Sequence, residues 1–181
     1  MVNLKEEHER YRKQFKKEKY RKKIREHDRA FRKKVEDTPI RDATDKKVKY
    51  ILENLLDIFS NKDFYFSVYQ FPNSSSSSYL FHTKDFEAMF HIRFTGKSNV
   101  VFLKELLKEY PILIEVEALH SFKKGMGKNI VELLINASNI IKTPIYIFDN
   151  NLKDENYYQR LGFIETESTG SNNEPLLVYK P

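Results

Sequence analysis

The segment from Pro111 to Ile141 holds the residues best suited to chemistry, because a basic glycine turn separates a strand pattern from a helix pattern. Apolar and β-branched residues alternate from Ile112 to Leu119, which predicts a strand. The turn, from Phe122 to Lys128, has two glycines separated by one residue, and glycine lets a ligand approach the backbone closely. Apolar residues then recur at helical spacing from Ile130 to Ile141. The turn is therefore predicted at a helix N-terminus, where unpaired N–H groups and the helix dipole hold phosphate.

Three lysines, Lys123, Lys124 and Lys128, add positive charge to this turn, so the sequence predicts a cradle for a pyrophosphate. The glycine spacing differs from that of a P-loop, and the third glycine and the acidic strand end of a dinucleotide-binding fingerprint are missing. A plain glycine turn that joins a strand to a helix is the alternative interpretation.

A second motif follows about thirty residues later, after an apolar strand predicted from Thr143 to Asn150. The sequence from Asn151 to Phe163 reads N-L-K-D-E-N-Y-Y-Q-R-L-G-F, and it predicts a short helix to Leu161 that Gly162 ends. It resembles the second signature of the GNAT superfamily of N-acetyltransferases. The residues that match are Asn151, Tyr157, Tyr158, Arg160, Leu161, Gly162 and Phe163.

The turn at Gly125 is similar to the first signature of that superfamily, and the two motifs occur in the family's order, separated by one helix and one strand. The resemblance covers Pro111 to Phe163. Two residues depart from it: Phe122 stands where the family has Gln or Arg, and Asp154 where it has Ala.

The resemblance implies direct transfer of an acetyl group from acetyl-CoA to an amine, with no covalent enzyme intermediate and no metal. It implies that backbone N–H groups of the turn bind the pyrophosphate and that Asn151 contacts the pantetheine or anchors the helix after it. The residues expected to bind the cofactor are Leu119, Lys123, Lys124, Gly125, Met126, Gly127, Lys128 and Asn151.

Proton transfer requires a donor for the departing thiolate and a base for the amine. By resemblance the donor is Tyr158, and a phenol is protonated at neutral pH. For the base we expect Glu115 and Glu117, which lie two residues apart on one face of a strand and are costly to bury unless used or paired. An exposed face, or pairing of each carboxylate with a neighbouring Arg or Lys, is the alternative, and His91 and His120 are rival bases.

The first 37 residues differ in composition from the rest of the chain. Met1 to Asp37 holds 15 Lys and Arg against 8 Asp and Glu, whereas the remainder holds 17 against 18. The segment has no Gly or Pro and favours helix. Three interpretations stay open: a helix that docks its sparse aromatic stripe on the body or on a second copy, an electrostatic handle for nucleic acid, or a partly disordered arm.

The remaining pattern predicts an α/β (α+β) fold: a GNAT-like, mostly antiparallel twisted sheet flanked by helices, with a charged N-terminal helical extension. We expect the extension at residues 1–37 and the acetyl-CoA-binding domain at 38–181. The other predicted elements are helices at Ala43–Ser60 and Asn99–Tyr110, strands at Phe64–Phe71, Tyr79–His82, Phe86–Phe94 and Leu176–Tyr179, and a polar turn at Thr166–Glu174. The second helix is unexpected, since the family joins the neighbouring strands by a hairpin.

Composition narrows the remaining possibilities. The absence of cysteine removes thiolate nucleophiles and zinc-thiolate sites and agrees with a reducing cytoplasm. No apolar run approaches a membrane span, and the charged N-terminus is unlike a secretory signal. Together with the resemblance to the GNAT superfamily, this implies a cytoplasmic acetyltransferase whose acceptor is an amine-bearing small molecule or protein, with a homodimer left open. The alternative function is an inactive GNAT-like module that binds nucleic acid or a protein through its basic helix.

Overall fold

The computed structural model of the chain describes residues 4–70, 77–150 and 156–181. Within these ranges the helices are α1 (Leu4–Phe15), α2 (Glu18–Asp37), α3 (Ala43–Ser60), α4 (Val101–Glu109) and α5 (Met126–Ile141). The strands are β1 (Phe64–Gln70), β2 (Ser77–Thr83), β3 (Ala88–Thr95), β4 (Leu113–Ser121), β5 (Ile145–Phe148), β6 (Ile164–Thr169) and β7 (Pro175–Tyr179). A 3₁₀ turn covers Gln159–Leu161.

The seven strands form one sheet in the order β1-β2-β3-β4-β5-β7-β6. Among the described residues, β4 and β5 are the one parallel pair, and every other neighbouring pair is antiparallel. A parallel pair requires a crossover, and α5 supplies it. The predicted fold class is confirmed: this is a mixed α/β fold with a mostly antiparallel sheet, flanking helices and an N-terminal helical extension.

Alternating side chains divide the sheet into two apolar layers. On one face, Ile114, Val116 and Ile145 pack with residues of α3 and α5 in the larger cluster. On the other face, Leu113 and Tyr146 pack with Leu103 and Leu106 of α4, and with β7. We call these the α5 face and the α4 face. Successive residues of β4 therefore alternate between two different environments.

Helix α2 lies against the edge strand β1 and adds aromatic side chains to the core. Phe31 is buried and stacks on Phe66 with ring centroids 6.4 Å apart, and it meets the edge of Tyr79 at 5.8 Å. Asp28 Oδ1 accepts the backbone N–H of Phe66 at 3.1 Å, which occupies a donor on the otherwise open strand edge. Of the three interpretations of the N-terminal segment, the one that fits α2 is a helix that docks its aromatic side chains on the body. The boundary between residues 37 and 38 stays a prediction.

Three local predictions are wrong. Residues 166–169, predicted as part of a polar turn, belong to strand β6 beside β7. The described part of the helix predicted to reach Leu161 is only the 3₁₀ turn, and residues 151–155 of that prediction lie outside the described residues. Phe86 precedes β3, in a turn where its φ is 59°. In the described part of the chain, no helix has the length and apolar composition that crossing a membrane requires.

Candidate functional site

The glycine turn lies at the start of α5, as the sequence predicted. Gly125 is the residue before the helix, with φ 84° and ψ −19°, a left-handed conformation that favours glycine. The N–H of Met126 donates to Lys123 O at 3.1 Å, and that of Asn129 donates to Gly125 O at 3.1 Å. The N–H groups of Gly127 and Lys128 lie between these two, in the part of the first turn that has no acceptor within a helix. The turn therefore presents backbone donors at the positive end of the helix.

The predicted cofactor-binding side chains take different positions around this turn. Lys124 is exposed, and Lys123 and Lys128 are mostly exposed with weak partners, at 3.7 Å from Glu87 and 3.5 Å from Glu132 respectively. Leu119 and Met126 are half-buried and pack against the larger apolar cluster. Asn151 lies outside the described residues. The lysines supply positive charge around the turn, while Leu119 and Met126 form its apolar floor.

Tyr157 brings the second motif next to the first. A Cβ built on Gly127 would lie 3.8 Å from Tyr157 Oη, 3.6 Å from Leu119 Cδ2 and 3.4 Å from Ser121 Cβ. The end of β4, the first turn of α5 and the segment before the 3₁₀ turn therefore meet at Gly127. The two motifs are therefore close enough for one ligand to contact both of them.

The two central strands separate close to this meeting point. The register of β4 with β5 is confined, in the described part of the chain, to Ile114 with Ile145 and Glu115 with Tyr146. Beyond Glu115, β4 runs on to Ser121 paired with β3, while β5 continues beside β7. Beyond Glu115 there is thus an interruption in the pairing between β4 and β5.

The two candidate carboxylates share one guanidinium. Arg93 Nη2 lies 2.7 Å from Glu115 Oε2, and Arg93 Nη1 lies 3.2 Å from Glu117 Oε1. Burial alone lowers the pKa of Arg93, but the hydrogen bond and charge of Glu115, followed by the charge of Glu117, raise it overall. Glu115 and Glu117 do lie on one face, and pairing with a neighbouring Arg, one of the alternatives open from the sequence, is what the structure contains.

The two carboxylates differ in how fully they are satisfied. Glu115 Oε2 also accepts Arg93 Nε at 3.0 Å and the hydroxyl of Tyr146 at 2.7 Å, and Tyr146 lies 2.7 Å from Thr95 Oγ1. Burial, and then the charge of Glu115, raise the pKa of Tyr146, so this phenol stays a donor. Glu117 Oε2, by contrast, is buried and has no hydrogen-bond partner among the described residues. The protein therefore satisfies Glu115 Oε2 more fully than Glu117 Oε2.

A β-bulge explains the position of Glu117. Along β3 the register changes from His91 with Ala118 to Ile92 with Val116, so Glu117 is an extra residue on β4. A bulge re-aims side chains and increases the local twist. The residues of β4 after the bulge also point to the opposite face from the one that regular alternation would give. Leu119, which pairs with Phe90, accordingly packs in the larger cluster on the α5 face. The regular alternation predicted through Leu119 is therefore wrong beyond Val116.

Tyr158 lies on the opposite side of the sheet from the carboxylates. It is buried in the larger cluster, with its ring 4.9 Å from that of Tyr157 and 5.6 Å from that of Phe163. Burial, and next the negative charge of Asp149, raise the pKa of Tyr158, so its hydroxyl stays protonated at neutral pH. Tyr158 and the two carboxylates, for which the sequence predicted proton-transfer roles, therefore lie on opposite faces of the sheet.

The rival base His91 is poorly suited to that role. It lies on the α4 face, where Ser78 Oγ is 3.4 Å from its Nδ1. Burial, and then the charge of His120, lower the pKa of His91 to about 4. An imidazole with so low a pKa is a weak base at neutral pH. His120 is half-buried and pairs with Met89 across the strands.

A different histidine, His82, is expected to make the fold sensitive to acid. It is 2 % exposed, stacks on Phe86 at 4.1 Å, and Nδ1 donates to Thr83 O at 2.8 Å. Burial lowers the pKa of His82 to about 4, although the Thr83 hydrogen bond and the charge of Asp28 oppose this. Its ordinary pKa is near 6.5. The unfolded chain therefore binds the proton first, and stability that is complete above pH 6.5 is lost as the pH falls toward 4.

We expect His82 to account for about 2 kcal/mol of the unfolding free energy lost between pH 7 and pH 5. Urea denaturation of the wild type and of His82→Phe at both pH values measures this directly. The variant should be less stable than the wild type at pH 7, because Thr83 O loses its donor. Between pH 7 and pH 5, however, its free energy of unfolding should fall by about 2 kcal/mol less than that of the wild type. Equal losses in both proteins would show that His82 does not titrate on unfolding.

Arg93 and Tyr146 are residues of this site that the sequence did not single out. Arg93 lies in the half-buried phase of the alternation in β3, and a charge at such a position is a signal that a partner lies on the next strand. Tyr146 gives no such signal, because a tyrosine in an apolar strand is ordinary core.

No protein-family model matches the chain, and no curated protein matches its sequence. Among solved structures it is similar to that of the Bacillus subtilis N-acetyltransferase YlbP in complex with coenzyme A. The two are 19 % identical over 78 % of this chain and 84 % of that one, with a TM-score of 0.42.

Proposed function

We propose that this chain is an acetyl-CoA-dependent N-acetyltransferase that passes the acetyl group directly to an amine. The observation that carries the proposal is the meeting, at Gly127, of a helix N-terminus, the end of β4 and the tyrosine-bearing second motif, beside strands that separate. A phosphate-bearing thioester needs an anion site, a slot for its acyl arm and a proton donor for its sulfur. We assign the anion site to the start of α5, the slot to the interruption between β4 and β5, and the proton donor to Tyr158.

The anion site would be the first turn of α5. N–H groups of Gly127 and Lys128, the helix dipole, and the ammonium groups of Lys123, Lys124 and Lys128 would together bind the pyrophosphate. Gly125 keeps the approach open, since a Cβ at that position would have no atom within 4 Å. The pantetheine arm would then extend along Leu119 toward the interruption between β4 and β5.

The reaction would proceed by attack of the amine nitrogen on the thioester carbonyl carbon. A carbon–nitrogen bond forms, the carbon–sulfur bond breaks, and the departing thiolate takes a proton from Tyr158, which is protonated at neutral pH and regains its proton from solvent after product release. The amine must shed a proton, which Glu117 would accept directly or through one water. Glu117 is preferred to Glu115 because its Oε2 has no protein donor among the described residues, whereas Glu115 Oε2 accepts three.

Release of free thiol from acetyl-CoA in the presence of a panel of amines tests the proposal. The panel should include a polyamine, an aminoglycoside and peptides with free N-terminal and lysine amines. We expect at least one class to raise thiol release above the amine-free rate, with an equal amount of acetylated product by mass spectrometry. If acetyl-CoA binds but no amine in the panel is acetylated, the proposed reaction is wrong.

A further inference from the structure

The outward side of α2 carries a row of basic side chains that takes no part in the fold. From the start of the helix to Lys33 the exposed basic residues are Lys19, Lys22, Lys23, Arg25, Arg29 and Lys33. We call this set the basic face. In an α-helix residues three, four and seven apart share a side, so Lys22, Arg29 and Lys33 lie close to one line. From Lys19 to Lys33 the row extends about 21 Å along the helix axis.

Docking of α2 turns one acid, Asp28, away from this row. Asp28 is turned to the body, where it accepts the Phe66 N–H and lies 3.0 Å from Arg32 Nε. Between Lys19 and Lys33, Glu26 is the one exposed acid, and the other exposed acids of α2 lie at its ends, at Glu18, Glu36 and Asp37. Glu26 lies four residues after Lys22 and three before Arg29, so one exposed acid stays within the row of six exposed bases.

We propose that the basic face of α2 binds the phosphate backbone of a nucleic-acid duplex, without reading its sequence. A duplex carries one negative charge per about 1.7 Å of axis, so a row about 21 Å long passes roughly a dozen phosphates. Flexible lysines and arginines on one rigid helix can each neutralise one of them. This inference uses no residue of the proposed acetyl-transfer site and stands apart from that function.

An anionic membrane fits the same face less well. Membrane-surface helices insert large apolar side chains between their basic ones. In α2 those side chains face the body: Phe31 and Val35 are buried, and Tyr20 and Ile24 are half-buried. The basic face therefore offers charge alone, which suits a hydrated phosphate backbone rather than a lipid interface.

Fluorescence anisotropy of labelled 20-base-pair RNA and DNA duplexes with the full chain, at several salt concentrations, tests this inference. We expect dissociation constants of about 10⁻⁶ to 10⁻⁵ M at 50 mM salt, weakening steeply as salt rises. In the triple variant Lys22→Gln, Arg29→Gln, Lys33→Gln the dissociation constant should rise at least tenfold. The slope of log K against log salt should fall by about 2 to 3, since each lost phosphate contact contributes about 0.9.

The matched control is Lys84→Gln, Lys97→Gln, Lys104→Gln, which removes the same charge from exposed lysines elsewhere. Its affinity should stay within about threefold of the wild type. Absence of wild-type binding to both duplexes at 50 mM salt would overturn the inference, as would equal weakening in both triple variants, since that reports net charge only. Sedimentation with phosphatidylserine vesicles but no duplex binding would also overturn it, in favour of a membrane.

Discussion

Replacing Tyr158 by phenylalanine is expected to lower kcat for acetyl transfer by about 10²-fold, the usual contribution of a positioned proton donor. The KM for acetyl-CoA should change little, because the variant keeps the ring that packs against Tyr157 and Phe163. The loss should be in kcat because the hydroxyl acts on the sulfur only as the carbon–sulfur bond breaks.

Steady-state thiol release with the best acceptor amine measures this effect. Tyr65→Phe is the matched control, since it removes the same hydroxyl from β1, at the far edge of the sheet, and it should keep kcat within about twofold. Full turnover by Tyr158→Phe would mean that another group, or water, protonates the thiolate, and Tyr158 would then be a core residue only.

The second large effect is expected at Arg93. Changing it to leucine leaves Glu115 and Glu117 close together without their shared cation, and Glu115 is buried. Removing one partner from a buried ion pair is strongly destabilising. Because Arg93 is itself partly exposed, we expect a loss of about 3 kcal/mol in the free energy of unfolding, measured by urea denaturation at pH 7.

Two further variants separate the effect of the uncompensated carboxylates from the loss of packing by the aliphatic part of an arginine side chain. Arg41→Leu is the control, because that side chain is 81 % exposed and lies 3.9 Å from Asp45, so its loss should cost less than about 1 kcal/mol. Adding Glu115→Gln and Glu117→Gln to Arg93→Leu should restore part of the stability. If the triple variant is no more stable than Arg93→Leu, uncompensated charge is not the cause of the loss.

The parts of the fold that the sequence predicted well are those whose pattern reflects a buried face. Helix α3 has the predicted bounds, Ala43–Ser60, because its apolar side chains recur at helical spacing and Asp42 caps it by accepting the Asp45 N–H. The start of α5 was predictable for a similar reason, since the two glycines mark where the chain turns. The extent of strand β6 was not, because this strand is mostly exposed at a sheet edge and has no apolar alternation to detect.

In the candidate site, the residue types were visible in the sequence but their partners were not. Glu115 and Glu117 stand out as charges in an apolar strand, yet Arg93 lies 22 residues before Glu115 and meets it only through the β3–β4 register. The sequence does not reveal the bulge at Glu117 either, because the two glutamates lie on the same face with or without the extra residue. The roles of Tyr158, Glu115, Glu117 and the cofactor-binding residues stay predictions until they are tested by substitution.

The most direct test of the central claim is calorimetric titration of acetyl-CoA into the wild type, Gly125→Ala and Gly125→Glu. The alanine variant measures the cost of a side chain at φ 84°, and the glutamate variant adds a negative charge beside the pyrophosphate site. Thermal melts should confirm that all three proteins are folded. We predict micromolar binding by the wild type and at least a tenfold further loss from alanine to glutamate. Absence of binding by the wild type, or equal affinities for the two variants, would contradict a pyrophosphate cradle at the start of α5.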